Sequence, residues 1–259
     1  MISITVTDIN SLIAFWLIFC RWSGIVFQLP VFDQVGIPQI LKILFCISIS
    51  WCFYPFLKQY PMNDLNLIGK ENFWILSGFY VIVGLVVGFL SRIILQIFNA
   101  AGSIITQQVG FGAVRYFDIS IGDQVGPFEK FINTTVVTMI ILGGGLLPLF
   151  KGSFLSFETM NMMSISSVKG LMQFTLYLFK SIFNTAILLS MPLIITNIIV
   201  MTLLGIIARA VPQMNVLMVS FVLNISLGLM VFILSGEEFY LASINFYSKF
   251  VGDWLKFIS

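Results

Sequence analysis

The side chains that carry most enzyme chemistry are scarce in this sequence of 259 residues. It has no histidine, which removes Ser-His-Asp and Cys-His catalysis, most zinc sites and haem ligation by histidine. Cys20, Cys46 and Cys52 lie in apolar stretches without a CxxC pair. Six residues apart on a helix, Cys46 and Cys52 would sit on different faces about 9 Å apart in rise, so all three read as small buried hydrophobes and not as a disulfide. No apolar segment contains a pair of acidic residues that could serve as a general acid and base. The expectation is a protein without catalytic residues, metal or cofactor, and not an enzyme.

Residues stand out by their context instead. Ala101 to Lys130 reads AGSIITQQVGFGAVRYFDISIGDQVGPFEK. Gly102, Gly110, Gly112, Gly122 and Gly126 punctuate it, with Gln107 and Gln108 beside the apolar Val109, Phe111, Val114, Tyr116 and Phe117. A long connection this apolar is too sticky for disorder, and such segments are often functional. Glycine permits a sharp bend, and an apolar wedge closes a pore by dewetting it. Gly110 and Gly112 would supply the bend, Phe111 and Phe117 the wedge, and Arg115 and Asp118 a local ion pair. An irregular loop packed on its own bundle would look the same at this level.

Two further stretches carry polar residues in apolar surroundings. In Gly205 to Asn215, GIIARAVPQMN, Pro212 cannot continue a helix, which predicts a tight helical hairpin. Arg209 there either caps carbonyls or meets a partner or lipid phosphate. In Arg21 to Lys42, RWSGIVFQLPVFDQVGIPQILK, Pro30 and Pro38 bracket a short loop and Pro38 suits the first turn of the next helix. Arg21 inside an apolar run is costly unless it is paired or faces a cavity. Gly143, Gly144 and Gly145, ahead of Pro148, read as a site of close helix packing more readily than as a break.

The elements that must position these residues are apolar helices. The chain is 59% hydrophobic and 9% charged, with a mean hydropathy of +1.04, where a soluble domain carries roughly 25% charged residues. That excludes a soluble globular enzyme. The net charge of +2 is too small and scattered for nucleic acid. The Met1 end lacks the basic region of a cleaved signal, so the first apolar run is expected to persist.

Charges mark off six apolar segments: Ile9 to Phe27, Ile43 to Leu57, Phe73 to Ser91 with a continuation to Phe98, Phe131 to Phe150, Ser181 to Ala208, and Ala210 to Gly236. They lack the period-2 alternation of a membrane barrel, so the fold class is all-α, a polytopic helical membrane protein. Asn184, Asn197 and Asn224 fall deep in the last two segments, and Gln96 and Asn99 close the third. Amides in such surroundings need partners, so these helices are expected to face other helices as much as lipid. Loop charges do not alternate, and they set no orientation.

RWSGIVFQLPVFDQVGIPQILKI, AGSIITQQVGFGAVRYFD and GIIARAVPQMNVLMVSFVLNISLGL resemble, in order and spacing, the FliR family of flagellar biosynthetic proteins, of which the injectisome protein SctT is a close relative. The resemblance runs from about Ile9 to Ile233, and the ARAVPQMN hairpin is its most specific part. It implies a structural subunit of a type III protein export gate in the bacterial inner membrane, within the flagellar basal body. The implied partners are FliP-like, FliQ-like and FlhB-like subunits, with unfolded flagellar proteins as cargo. The implied organisation is a FliP-like part over residues 1–180, with its gating loop at 101–130, then a FliQ-like hairpin and tail over 181–259.

The family's plug positions correspond to Gln107, Gln108, Gly110, Phe111, Gly112, Tyr116, Phe117 and Asp118. Its hairpin and partner-packing positions correspond to Gly205, Arg209, Pro212, Gln213 and Asn215, and its N-terminal motif to Arg21, Pro30 and Pro38. Asp118-Ile119 stands where the family pattern has Asp-Pro, so the loop path beyond Asp118 is free of that restriction. The equivalent injectisome subunit is the alternative. A secondary transporter is remote, because no acidic residue lies in a core segment and no internal repeat is visible.

Overall fold

The computed structural model describes residues 9–29, 37–113, 116–118, 123–162 and 170–258, and of Lys70, Ala113, Tyr116, Phe117, Asp118 and Asp123 it describes the backbone. Pro30, Val114, Arg115, Ile119 and Gly122 lie outside the described residues. Within them the chain forms α1 (Ile9–Gln28), α2 (Gln39–Leu57), α3 (Gln59–Ile68), α4 (Phe73–Gln108), a two-stranded hairpin of β1 (Tyr116–Asp118) and β2 (Asp123–Val125), α5 (Pro127–Leu142), α6 (Leu146–Thr159), α7 (Leu171–Ala210) and α8 (Val216–Ile258). The fold is all-α apart from that small antiparallel hairpin, in which Phe117 pairs with Gln124.

Five helices, α1, α2, α4, α7 and α8, are long and apolar enough to cross a membrane, and α5 with α6 makes a sixth if the two count as one broken span. Local sequence explains several boundaries. Pro38 stands immediately before α2, and Pro127 opens α5 behind an extended Gly126, where its missing N–H is no loss. Asn215 accepts the Met218 N–H through Oδ1 and caps α8.

Several expectations need correction. The third segment does not close near Phe98, because α4 runs through Arg92 to Gln108 as one helix of 36 residues. Arg92 is exposed, so its charge interrupts neither the helix nor its buried face. The connection expected over 101–130 is therefore much shorter, with Gln107 and Gln108 in the last turn of α4 and Pro127 already in α5. The segment from Phe131 to Phe150 is broken by the glycine run, where Gly144 adopts φ 69°. Close packing is present too, since a Cβ on Gly145 would meet the Ile140 and Tyr247 side chains. Lastly, Cys52 is exposed, while Cys20 and Cys46 are buried and all three are free thiols.

The chain divides into two compact units. The first comprises residues 1–92, 147–175 and 251–259. Its core is aromatic: Trp22 stacks on Phe53 at 5.7 Å and abuts Phe150 and Phe157. Gly24 and Gly84 let α1 and α4 touch backbone to backbone, for a Cβ on Gly24 would lie 2.9 Å from the Gly84 carbonyl carbon. Gly152 of α6 leaves the notch that the fully buried Trp254 fills.

The second unit comprises residues 93–146 and 176–250. Here α4 meets α5 through small residues, with Thr106 Oγ1 accepting the Glu129 N–H at 3.0 Å and donating to the Gly102 carbonyl at 2.7 Å. Ser190 of α7 donates to the Ala101 carbonyl as well as to its own helix. Tyr247 of α8 donates its O–H to the Gly145 carbonyl at 2.7 Å, beside the glycine break.

Candidate functional site: the root of the 109–126 loop

The loop leaves α4 by a turn that glycine makes feasible. The Gly110 N–H donates to the Gln107 carbonyl, and Gly110 has φ 94°, a left-handed conformation that a Cβ disfavours. Gly112 lies in a short 3-10 turn, Phe111–Ala113, without positive φ. Gly110 also sits against α8, where an added Cβ would meet Ile225, Asn224 and Phe221. Before it, Val109 is fully buried against Gly228 of α8. Gln108 then ties the end of α4 to α7, its Oε1 accepting from Asn197 Nδ2.

The aromatic part of the loop root packs inward. Phe111 lies 5.6 Å from Phe128 of α5, Phe128 stands edge-on to Phe232 of α8 at 5.3 Å, and Phe232 continues to Phe239. This ladder holds the start of the loop at both ends, by Val109 on one side and Phe111 on the other. Tyr116, Phe117 and Asp118 form β1, which returns through β2 to α5.

A cleft of about 520 Å³ opens at this root. Gln107 and Gly110 line it from the loop side, Asn197 and Met201 from α7, and Leu217, Met218, Phe221 and Asn224 from α8. Asn197 and Asn224, flagged in the sequence as amides needing partners, thus meet at one place. Asn184, flagged with them, is exposed.

The hairpin residues lie elsewhere on the second unit. Gly205, Arg209, Pro212, Gln213 and Asn215 are all exposed, Gly205 and Arg209 within α7 and the others in the turn that follows it. None of them lines the cleft. They present an unobstructed surface, with open space beside Gly205.

Arg21 occupies the first unit and is fully buried. Its guanidinium donates to the Ser156 carbonyl at 2.8 Å and the Met160 carbonyl at 2.9 Å, which closes the end of α6. It lies between the Tyr80 and Phe157 rings, 4.4 and 4.5 Å from their centroids. Tyr80 passes its O–H to Asp64 at 2.9 Å. Burial pushes the Asp64 carboxyl above the usual carboxylate range, opposed by the Tyr80 hydroxyl, the Met162 N–H and the Arg21 charge.

Sequence reasoning located Arg21 but missed Asp64 and Tyr80, whose relation to it depends on how α1, α3 and α4 pack. It also missed Thr106, Phe128 and Gly228, ordinary residues in helical runs. Among the described residues no group of three potential ligands could hold a metal ion.

A family model described as bacterial export proteins, family 1, matches residues 12–248. The chain is 28% identical over 259 residues to the flagellar biosynthetic protein FliR of Aquifex aeolicus (strain VF5), covering 98% of this chain and 96% of that protein. It is 26% identical over 238 residues to FliR of Bacillus subtilis (strain 168), covering 91% and 90%. The surface presentation of antigens protein SpaR of Shigella sonnei is 26% identical over 186 residues, 71% of each chain.

Proposed function

The chain belongs to the bacterial export proteins, family 1, and we propose that it is a structural, non-catalytic channel subunit of the flagellar type III protein export gate. On this reading it sits in the bacterial inner membrane within the flagellar basal body. It assembles with FliP-like, FliQ-like and FlhB-like subunits, and helps form and close the pore through which unfolded flagellar proteins leave the cell. Residues 1–180 serve as the FliP-like part and 181–259 as the FliQ-like hairpin with its tail.

One observation carries the closing role: the loop between α4 and α5 is anchored at its start by Val109, Gly110 and Phe111 against α5 and α8. A plug must be held at its root while its tip closes the path, and an apolar element does so by keeping water out. Gln107, Gln108 and Gly112 set the exit from α4. Tyr116, Phe117 and Asp118 follow in the hairpin beyond it. The exposed Gly205 to Asn215 turn is left for contact with neighbouring subunits.

The test is ion conductance across membranes holding the assembled complex. Phe111→Ser should raise leak well above background while the sister subunits still co-purify. Background conductance with intact assembly would remove the plug assignment.

The equivalent injectisome subunit is the second reading, favoured by the similarity to SpaR. The fuller coverage of FliR of Aquifex aeolicus, 96% of that protein against 71% of SpaR, puts the flagellar reading first. Identifying the co-purified subunits by mass spectrometry separates the two.

A further inference from the structure

The loop between α4 and α5 has a second fixed point, on its returning leg. β2 passes through the extended Gly126 straight into α5, whose first turn has no side-chain cap of its own because a glycine stands at the N-cap. The acceptor comes from α4 instead. Thr106, 1% exposed, accepts the Glu129 N–H through Oγ1 at 3.0 Å and donates the same hydroxyl to the Gly102 carbonyl at 2.7 Å. One helix thus does for another what an N-cap Ser or Thr does within its own, satisfying the N–H at the third helical position.

Two glycines bring the helices close enough for that bond. A Cβ on Gly126 would lie 2.5 Å from Thr106 Cγ2, and one on Gly102 would lie 2.9 Å from the Glu129 Cα. Neither glycine has a positive φ, so what they supply is space. The arrangement bears on both ends of the loop. Thr106 lies three residues before Val109, where the chain leaves α4, and Glu129 follows Phe128, the ring that receives Phe111 at 5.6 Å. The Ala101 carbonyl accepts from Ser190 of α7, which ties the same turn of α4 to another neighbour.

We propose that Thr106 is a positioning residue for closure of the export path: its hydroxyl, with Gly102 and Gly126, clasps the two ends of the 109–126 loop together and fixes the seat that Phe128 offers Phe111. The inference rests on the closing role proposed above and adds the residue that holds the returning leg. A threonine present for helix packing alone would need its shape and not its hydroxyl, so the two roles part on substitution.

Thr106→Val keeps the branched shape and removes the acceptor, while Thr106→Ser keeps the acceptor and removes the methyl group. The full chain is used within its assembled complex, with ion conductance and hydrogen exchange as the readouts. In Thr106→Val, exchange at the amides of residues 128–130 should quicken about fivefold or more, as the loss of a capping bond implies. Leak should rise above background while the sister subunits still co-purify. Thr106→Ser should match the unaltered protein in both readouts. If Thr106→Val lowers the membrane level of the protein, Gly126→Ala gives the same disruption from the other side, since its methyl group meets Thr106 Cγ2. It should leak, and Thr106→Ser in that background, lacking the clashing atom, should lower the leak again.

Equal leak in Thr106→Ser and Thr106→Val would overturn the proposal, as would unchanged exchange in Thr106→Val. So would background conductance in Thr106→Val while Phe111→Ser leaks, and in that case the clasp assignment alone fails. Background conductance in both variants removes the closing role itself, and with exchange quickened it leaves the clasp as a tie between loop ends without a gate to hold.

Discussion

At the scale of single residues, Arg21 shows how a cation survives inside an apolar protein. Its two carbonyl acceptors, two aromatic faces and the nearby Asp64 together replace the water it lost. Arg21→Met should therefore cost roughly 3–5 kcal/mol, the range for removing one member of a buried charged set, read as a lower Tm of the detergent-solubilised complex. Asp64→Asn in that background should recover part of the loss. Because the Asp64 pKa is raised in the folded protein, its contribution is present below the unfolded value of about 3.9 and is lost as pH rises through the folded value. Asp64→Asn should flatten that part of the stability-pH curve. Gly110 carries a different constraint: Gly110→Val puts a β-branched residue at φ 94° and a side chain against α8. The strain, of order 1–3 kcal/mol, should free the loop root and appear as ion leak without loss of assembly.

At the scale of elements, the sequence revealed helices better than their limits. The turn between α7 and α8 was legible because Pro212 lacks the N–H a continuing helix needs. The end of α4 was not, because an exposed Arg92 has good helix propensity and keeps its charge outside the packing face. Glu237 and Glu238 misled in the same way, for both are exposed and α8 continues past them to Ile258. The loop root was half legible: Gly110 and Phe111 stand out in the chain, whereas Phe128 and Phe232, which receive Phe111, are separated from it by sequence and joined only by packing. The glycine break after α5 is met by Tyr247, a contact about a hundred residues away that no local pattern announces. Tyr247→Phe removes that hydrogen bond and should destabilise by about 0.5–1.5 kcal/mol. Hydrogen exchange should quicken at the amides around 143–146, with little change in α7.

At the scale of the whole molecule, helix length and burial say more than composition did. With 40 and 43 residues, α7 and α8 would be about 60 and 65 Å long if straight, twice the ~30 Å of a hydrocarbon core. Only 28% and 22% of their most apolar windows are buried, against 61% for α4. So α4 is the most buried of the three although Trp74, Ile75 and Ile82 remain exposed, while α7 and α8 carry more apolar surface that lipid or neighbouring subunits must cover. Trp254→Ala, emptying the notch at Gly152, should cost about 3–5 kcal/mol and show as loss of the protein from membranes.

That notch also has a bearing on biosynthesis. Trp254 follows in sequence every residue of the second unit, yet it completes the core of the first. Translation delivers Gly152 and the rest of α6 long before the indole that fills its notch. The unit begun first is thus finished last, and a chain stalled after α6 but before residue 254 would leave the Gly152 notch open, a mark that distinguishes an incomplete molecule from a finished one.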